Sequence, residues 1–350
     1  MNNPRRHCEE PAGDPLPVIA SPAFGGLAMT IILLFGIVSS AEAKTEKIRV
    51  GHFPNVTHAP ALIARASRHF ESRLGSEAEI EWKTFNAGPE AIEALFAGAL
   101  DILYVGPSPA INGYVRSRGE ALRIVAGVAS GGAGFVVRAN SGIERFEDIR
   151  GKRVATPQKG NTQDVALHYL MKEKEIIPKT KGGDVEIFHL SGGDQITVFL
   201  KEQVDAIWTV EPWLTRLTVE ANGRVLFEDS EFWPEGQYAT TVLVVRKKFL
   251  DEHPDLVRKW VKGHVEIIEW INGHYSRAKQ LFNEEFTREA GKALPPNYLE
   301  RFFLRLSFDP LVLKSQIRES AERAYQIGYL GAGKPDLTNL FDDSFLETAP

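Results

Sequence analysis

The residues of this 350-residue chain that could do chemistry sit in short loops between apolar runs, and they are hydrogen-bond donors rather than nucleophiles. Asn55, Thr57 and His58 follow one run, and Asn86 and Gly88 a second. Gly106, Pro107 and Ser108 follow a third. Gln158, Asn161, Thr162 and Gln163 follow a fourth, in ATPQKGNTQDVAL. Glu211 and Trp213 flank Pro212 in an EPW turn, and Tyr238 stands before a last apolar run. Where a strand gives way to a helix, the first N–H groups of the helix have no intrahelical partner. With hydroxyls beside them, they suit a small anion. Each junction also admits a plainer role. Thr57 can cap its helix with His58 at the surface, Asn86 and Gly88 can form a turn, and Trp213 can be core.

Catalysis finds little support. An enzyme needs an activated nucleophile or a poised acid–base pair. The junction loops are rich in Gly, Pro, Ser, Thr, Asn and Gln, and Glu211 is the best single acid without an evident partner. It can receive an amine on a ligand or pin two parts of the fold together. The nine His are not at metal-ligand spacing, and those on long helices, His264 and His274, read as solvated. H-E-x-x-H, G-x-S-x-G and Walker A patterns are absent. The expectation is a binding protein with no metal and no cofactor.

The elements that must hold these loops alternate. Strand-like runs lie at 47–53, 79–85, 101–106, 122–128, 135–139, 152–157, 184–190, 205–210 and 240–246, with helix-like runs between most of them. In PEAIEALFAG, Ile92, Leu95 and Phe96 keep the spacing of one helix face. This alternation predicts an α/β fold with mostly parallel sheets. Pro60, Pro89, Pro107 and Pro212 read as first-turn prolines. Asn161 with Asp164, and Ser191 with Asp194, read as capping-box variants. After Lys247 the chain reads as helical. Breaks near 140–157 and 232–245 enclose a self-contained α/β unit, so the chain crosses between two units twice, as a hinge requires. The stretch ASGGAGF (129–135) reads equally as a ligand loop or a connector.

Length allows two domains, and 43% apolar content allows each a core. A net charge of −5 argues against nucleic acid as a partner. Residues 1–43 read as a secretory signal peptide: Arg5 and Arg6, an apolar run from Leu27 to Val38, then Ala41-Glu42-Ala43. Cleavage there would remove Cys8, the one cysteine. An uncleaved leader would instead anchor the protein to the membrane.

The stretches GHFPNVTHAPALIA, FNAGPEAIEALFAGALDILYVGPSPAINGY, IRGKRVATPQKGNTQDVAL, VDAIWTVEPW and YATTVLVVRKKFLDEHPDLV resemble the periplasmic substrate-binding proteins of nitrate, sulfonate and taurine ABC importers, the aliphatic-sulfonate binders above all. The resemblance implies a type 2 periplasmic-binding-protein fold, two α/β lobes joined by a two-strand hinge. Lobe one would be 44–135 and 240–350, with the C-terminal helices, and lobe two 136–239. It implies a monomer that closes on a small anionic or zwitterionic solute and delivers it to a membrane permease. The solute is an aliphatic sulfonate or taurine first, with nitrate, bicarbonate or a pyrimidine precursor as alternatives. A pyrimidine would call on Trp213 and Phe53 for stacking.

Overall fold

The computed structural model describes residues 45–347; the expected signal peptide lies outside them. The chain opens with β1 (Glu46–His52), β2 (Ala78–Thr84), β3 (Ile102–Val105) and β4 (Leu122–Gly131). A second group follows: β5 (Ala133–Arg138), β6 (Arg153–Thr156), β7 (Glu186–His189), β8 (Ala206–Val210) and β9 (Gly223–Glu228). Strands β10 (Ala239–Arg246) and β11 (Leu306–Phe308) return to the first group. The first sheet has the order β11-β4-β10-β3-β1-β2 and the second β7-β6-β8-β5-β9. Each sheet with its helices is one α/β lobe.

All nine expected strands form. The expectation of mostly parallel sheets fails. β2-β1-β3 and β7-β6-β8 are parallel, but β10 is antiparallel to β3 and β4, and β5 to β8 and β9. The crossings explain this. The chain leaves the first sheet along β4 and returns along β10, so two neighbouring strands run in opposite directions. The sequence reading also missed β9 and β11. β11 has three residues, too few to show alternation, and only one residue of β9, Phe227, is buried.

At the first crossing, Gly131 and Gly132 both adopt positive φ, 85° and 73°. A Cβ on Gly131 would lie 2.3 Å from the Arg305 carbonyl oxygen, so only glycine fits. Thus ASGGAGF is the connector. The return crossing is tied to it. The Ala133 N–H donates to Tyr238 Oη (3.0 Å), and the Thr240 hydroxyl donates to the Gly131 carbonyl (2.6 Å).

The first sheet's core includes Trp260 stacked on Phe70 at 3.6 Å, and the second's includes Phe135 stacked on Phe227 at 5.2 Å. Burying each such ring contributes roughly 1.5–3 kcal/mol. His264 belongs to the first core and is not solvated. It is fully buried, its Nε2 lies 2.8 Å from the Gly127 carbonyl, and burial pushes its pKa down to about 4. Among the described residues no helix is long and apolar enough to cross a membrane.

Candidate functional site

Two helix starts from opposite lobes face each other. The helix Pro107–Arg116 begins directly after β3, and the helix Thr162–Glu173 follows β6. A Cβ on Gly106 would lie 2.6 Å from Thr162 Oγ1, so the absence of a side chain lets the lobes meet here. Thr162 Oγ1 and Gln158 Oε1 are buried and have no hydrogen-bond partner among the described residues. Beside this contact opens a cavity of about 380 Å³ walled by both lobes. Ser108, Ala239, Ser320 and Arg323 contribute from the first lobe. Thr162, Tyr169, Trp208, Asp229 and Trp233 contribute from the second, and Tyr238 from the return crossing. A groove of about 720 Å³ is larger, but it runs along another face of the Thr162 helix, past His168 and Lys172. Among the described residues no α-helix begins in its lining, so the smaller cavity is the better ligand site.

The lobe-one helix start is sparing with donors. Pro107 and Pro109 carry no N–H, and the Ala110 N–H donates to the Gly106 carbonyl (3.3 Å). Ser108 is what remains to bind a ligand. The Thr162 start is held differently. Asn161 occupies the cap position, but its side chain makes no cap bond and sits 3.5 Å from Gln163 Oε1. The expected capping box does not form. The buried Asp164 carboxylate instead accepts the Gly160 N–H (2.7 Å), the Thr156 hydroxyl (3.1 Å), a bond from His189 (3.0 Å) and the hydroxyl of Tyr329. Burial pushes Asp164 up, but these bonds outweigh it and hold the carboxyl below its ordinary pKa. Ser191 likewise spends its hydroxyl on the Asp194 side chain, not on a helix N–H.

Several predicted residues lie outside the cavity. The Thr57 hydroxyl donates to Asn55 Oδ1 (2.8 Å). His58 is buried, not at the surface. Its Nδ1 accepts the Phe53 N–H (3.3 Å), its ring lies against Phe53, and burial lowers its pKa well below the usual range. Asn86 is exposed. Gly88 makes room for Pro109, since a Cβ there would lie 2.3 Å from its ring. Trp213 packs on Gly192 with Arg216 over its ring at 5.2 Å. Pro212 precedes the helix Trp213–Glu220 rather than opening it.

Glu211 is fully buried and engaged. Its carboxylate accepts the Thr215 N–H (3.0 Å), the Thr215 hydroxyl (2.8 Å) and Arg305 Nη1 (3.0 Å). Arg305 precedes β11 and also binds Glu228 at 2.8 Å. Of the two roles open to Glu211, the geometry gives it the structural one, a pin between lobes. Burial raises its pKa even so.

The sequence reading missed the aromatic wall: Tyr169, Trp208, Phe232 and Trp233, with Arg323 and Asp229. Arg323, from the helix Lys314–Gln326, lies 4.0 Å over the Trp233 ring and 5.1 Å over Tyr169. The signal was present in FWPEGQY (232–238), where three aromatics crowd a segment that otherwise reads as a break.

The comparisons with known proteins agree with this architecture. The model of the NMT1-like family matches residues 41–282. A protein of Bacillus subtilis (strain 168), provisionally named as aliphatic-sulfonates-binding, is 26% identical over 339 residues, 92% of this chain and 95% of its own. The taurine-binding periplasmic protein of Escherichia coli (strain K12) is 28% identical over 207 residues, 59% of this chain and 61% of its own. Among solved structures, the alkanesulfonate-binding protein SsuA of Xanthomonas axonopodis pv. citri, bound to MOPS, superposes with a TM-score of 0.68. It is 21% identical and covers 84% of this chain and 96% of its own. The periplasmic nitrate-binding protein NrtA of Synechocystis PCC 6803 reaches 0.69 at 14% identity, over 87% of this chain and 88% of its own.

Proposed function

The chain belongs to the NMT1-like family, and from that premise we propose that it is the extracytoplasmic solute-binding component of an ABC importer. It captures a small anionic or zwitterionic solute, an aliphatic sulfonate or taurine, by closure of its lobes, works in the periplasm as a monomer, and passes the solute to a permease unchanged. The observation that carries this is the cavity walled by both lobes, with the unpartnered Thr162 hydroxyl at its edge. A ligand that touches both lobes favours the closed form by its differential contacts. The names of the relatives in Bacillus subtilis and Escherichia coli supply the solute class.

The aromatic wall supports a second solute, a flat heterocycle such as an aminopyrimidine, stacked among Trp208, Trp233 and Tyr238 rather than on Trp213 and Phe53. A thermal-shift screen separates the two. At a hundredfold excess over Kd a ligand adds roughly 2.7 kcal/mol of stability. Sulfonates should raise Tm; a shift with aminopyrimidines alone would replace the sulfonate reading with the heterocycle. Conversion of the solute to a product on incubation would overturn binding as the function.

A further inference from the structure

Asp229 is the cavity's buried acid, and the protein leaves it without a counter-charge. It is 5% exposed. One carboxylate oxygen accepts the Trp208 Nε1–H at 2.6 Å. The other has no hydrogen-bond partner among the described residues, and the side chain lines the cavity. The cations nearby are engaged elsewhere. The Arg323 guanidinium is stacked over Trp233 and bonded to Glu319 (3.0 Å), and Lys174 pairs with Glu147 (3.0 Å). A buried carboxylate with a single bond is costly unless something else meets it.

The surroundings say what would meet it. Trp233 and Tyr238 are nearly parallel, 17° apart with centroids at 6.2 Å, and Trp208 lies beside them in the wall. Aromatic faces attract cations. The same cavity reaches Ser108 and Thr162, whose hydroxyls and helix starts suit an oxyanion. A site with a carboxylate among aromatic rings and donors at the lobe contact fits a solute that carries both charges.

Resting on the solute-binding reading above, we propose that Asp229 receives the ammonium group of a zwitterionic sulfonate, so that the cavity selects amino sulfonates over simple anions. Glu211, the acid that sequence reading offered for an amine, is closed off by Arg305 and Thr215. Burial pushes Asp229 up to about 7, against the pull of the Trp208 bond and with the help of Glu228. The other titratable or charged groups around the cavity are Tyr169, Glu173 and Lys174 on the Thr162 helix, Arg323 on the last long helix, and Tyr238. An ammonium held against Asp229 favours its charged form. Binding at pH 7 therefore expels a proton, and affinity rises as pH climbs through 7.

The test is titration calorimetry of the purified protein with taurine and with 1-propanesulfonate, which replaces the amine by a methyl group. Wild type should bind taurine at least about tenfold more tightly, with proton release visible as a dependence of heat on buffer ionisation. Asp229→Asn should bring the two ligands within about twofold of each other and abolish the proton release. Equal affinities in wild type, or a taurine preference that survives Asp229→Asn, overturns the assignment while leaving a sulfonate binder. If neither sulfonate binds wild type, the solute reading fails and this assignment with it. The melting temperature of Asp229→Asn, recorded alongside, separates lost recognition from lost folding.

Discussion

Two of the carboxylates buried in the second lobe are treated in opposite ways. Glu211, at the end of β8, receives three hydrogen bonds, one of them from an arginine of the other lobe. Asp229, at the end of β9, receives one, from an indole, and faces a cavity. Burial alone pushes both pKa values up. The number and charge of the partners decide the rest. A buried acid satisfied by the protein holds the fold together, and one left open is available to a ligand.

The largest expected effect tests the pinned acid. Glu211→Ala leaves Arg305 with Glu228 alone as a carboxylate partner and leaves the buried Thr215 N–H and hydroxyl without their acceptor. Stranding these buried donors and losing the charged bonds costs about 3–5 kcal/mol, which urea denaturation would read as a lower midpoint. A loss below about 1 kcal/mol would show that the cross-lobe bond to Arg305 contributes little, and the comparison would break.

The opposite sign is expected at the open acid. The folded pKa of Asp229 is raised to about 7, so the folded state holds a proton that the unfolded chain gives up near 4. Its burden on stability is absent below pH 4, grows as pH rises, and is complete above 7. Asp229→Asn keeps an acceptor for Trp208 and removes that burden. The variant should match wild type at pH 4 and exceed it by an amount of order 2–4 kcal/mol at pH 8. A variant less stable at pH 8 would mean that Asp229, like Glu211, is structural.

Trp208→Phe sharpens the comparison further, because it removes the one donor that Asp229 has. A bond to a charged group contributes about 1.5–3 kcal/mol, and a neutral one about half that. The loss should therefore be greater at pH 8 than at pH 5, as paired denaturation curves would show.

The contrast between the acids also marks what the sequence could tell. Strand and helix alternation, with prolines at helix starts, gave the α/β class and all nine strands it named, because those signals are local. Of the fifteen predicted site residues, Ser108, Thr162 and Tyr238 line the cavity, and Gly106 makes the contact beside it. Each of these four sits at a lobe contact or crossing, where the chain has little choice of residue. Asn55, Thr57, His58 and Trp213 belong to the same kinds of junction, yet their side chains meet neighbours within the protein. Nothing in a loop's composition distinguishes a hydroxyl that faces a cavity from one that faces the residue two positions away. Asp229 and Glu211 show the same limit. Both follow a strand, and the donors the fold brings to Glu211, Thr215 and the distant Arg305, 94 residues away, separate their fates.

The smallest expected effect lies at the lobe contact beside the cavity. Gly106 has φ of −65°, so alanine is conformationally allowed there. Its Cβ would press on Thr162 Oγ1 at 2.6 Å. That oxygen ends a short side chain that can rotate, so the backbone need not move and stability should fall by less than about 1 kcal/mol. Rotation would turn the hydroxyl away from the solute's anionic end. A single lost hydrogen bond of about 0.5–1.5 kcal/mol weakens binding roughly three- to tenfold. Thr162→Val should produce a loss of the same size by removing the hydroxyl. The double variant Gly106→Ala/Thr162→Val should then be no worse than either single one, since both act on one oxygen. Additive losses would show that Gly106→Ala holds the lobes apart, in which case it would also weaken the hold of Asp229 on an ammonium across the cavity.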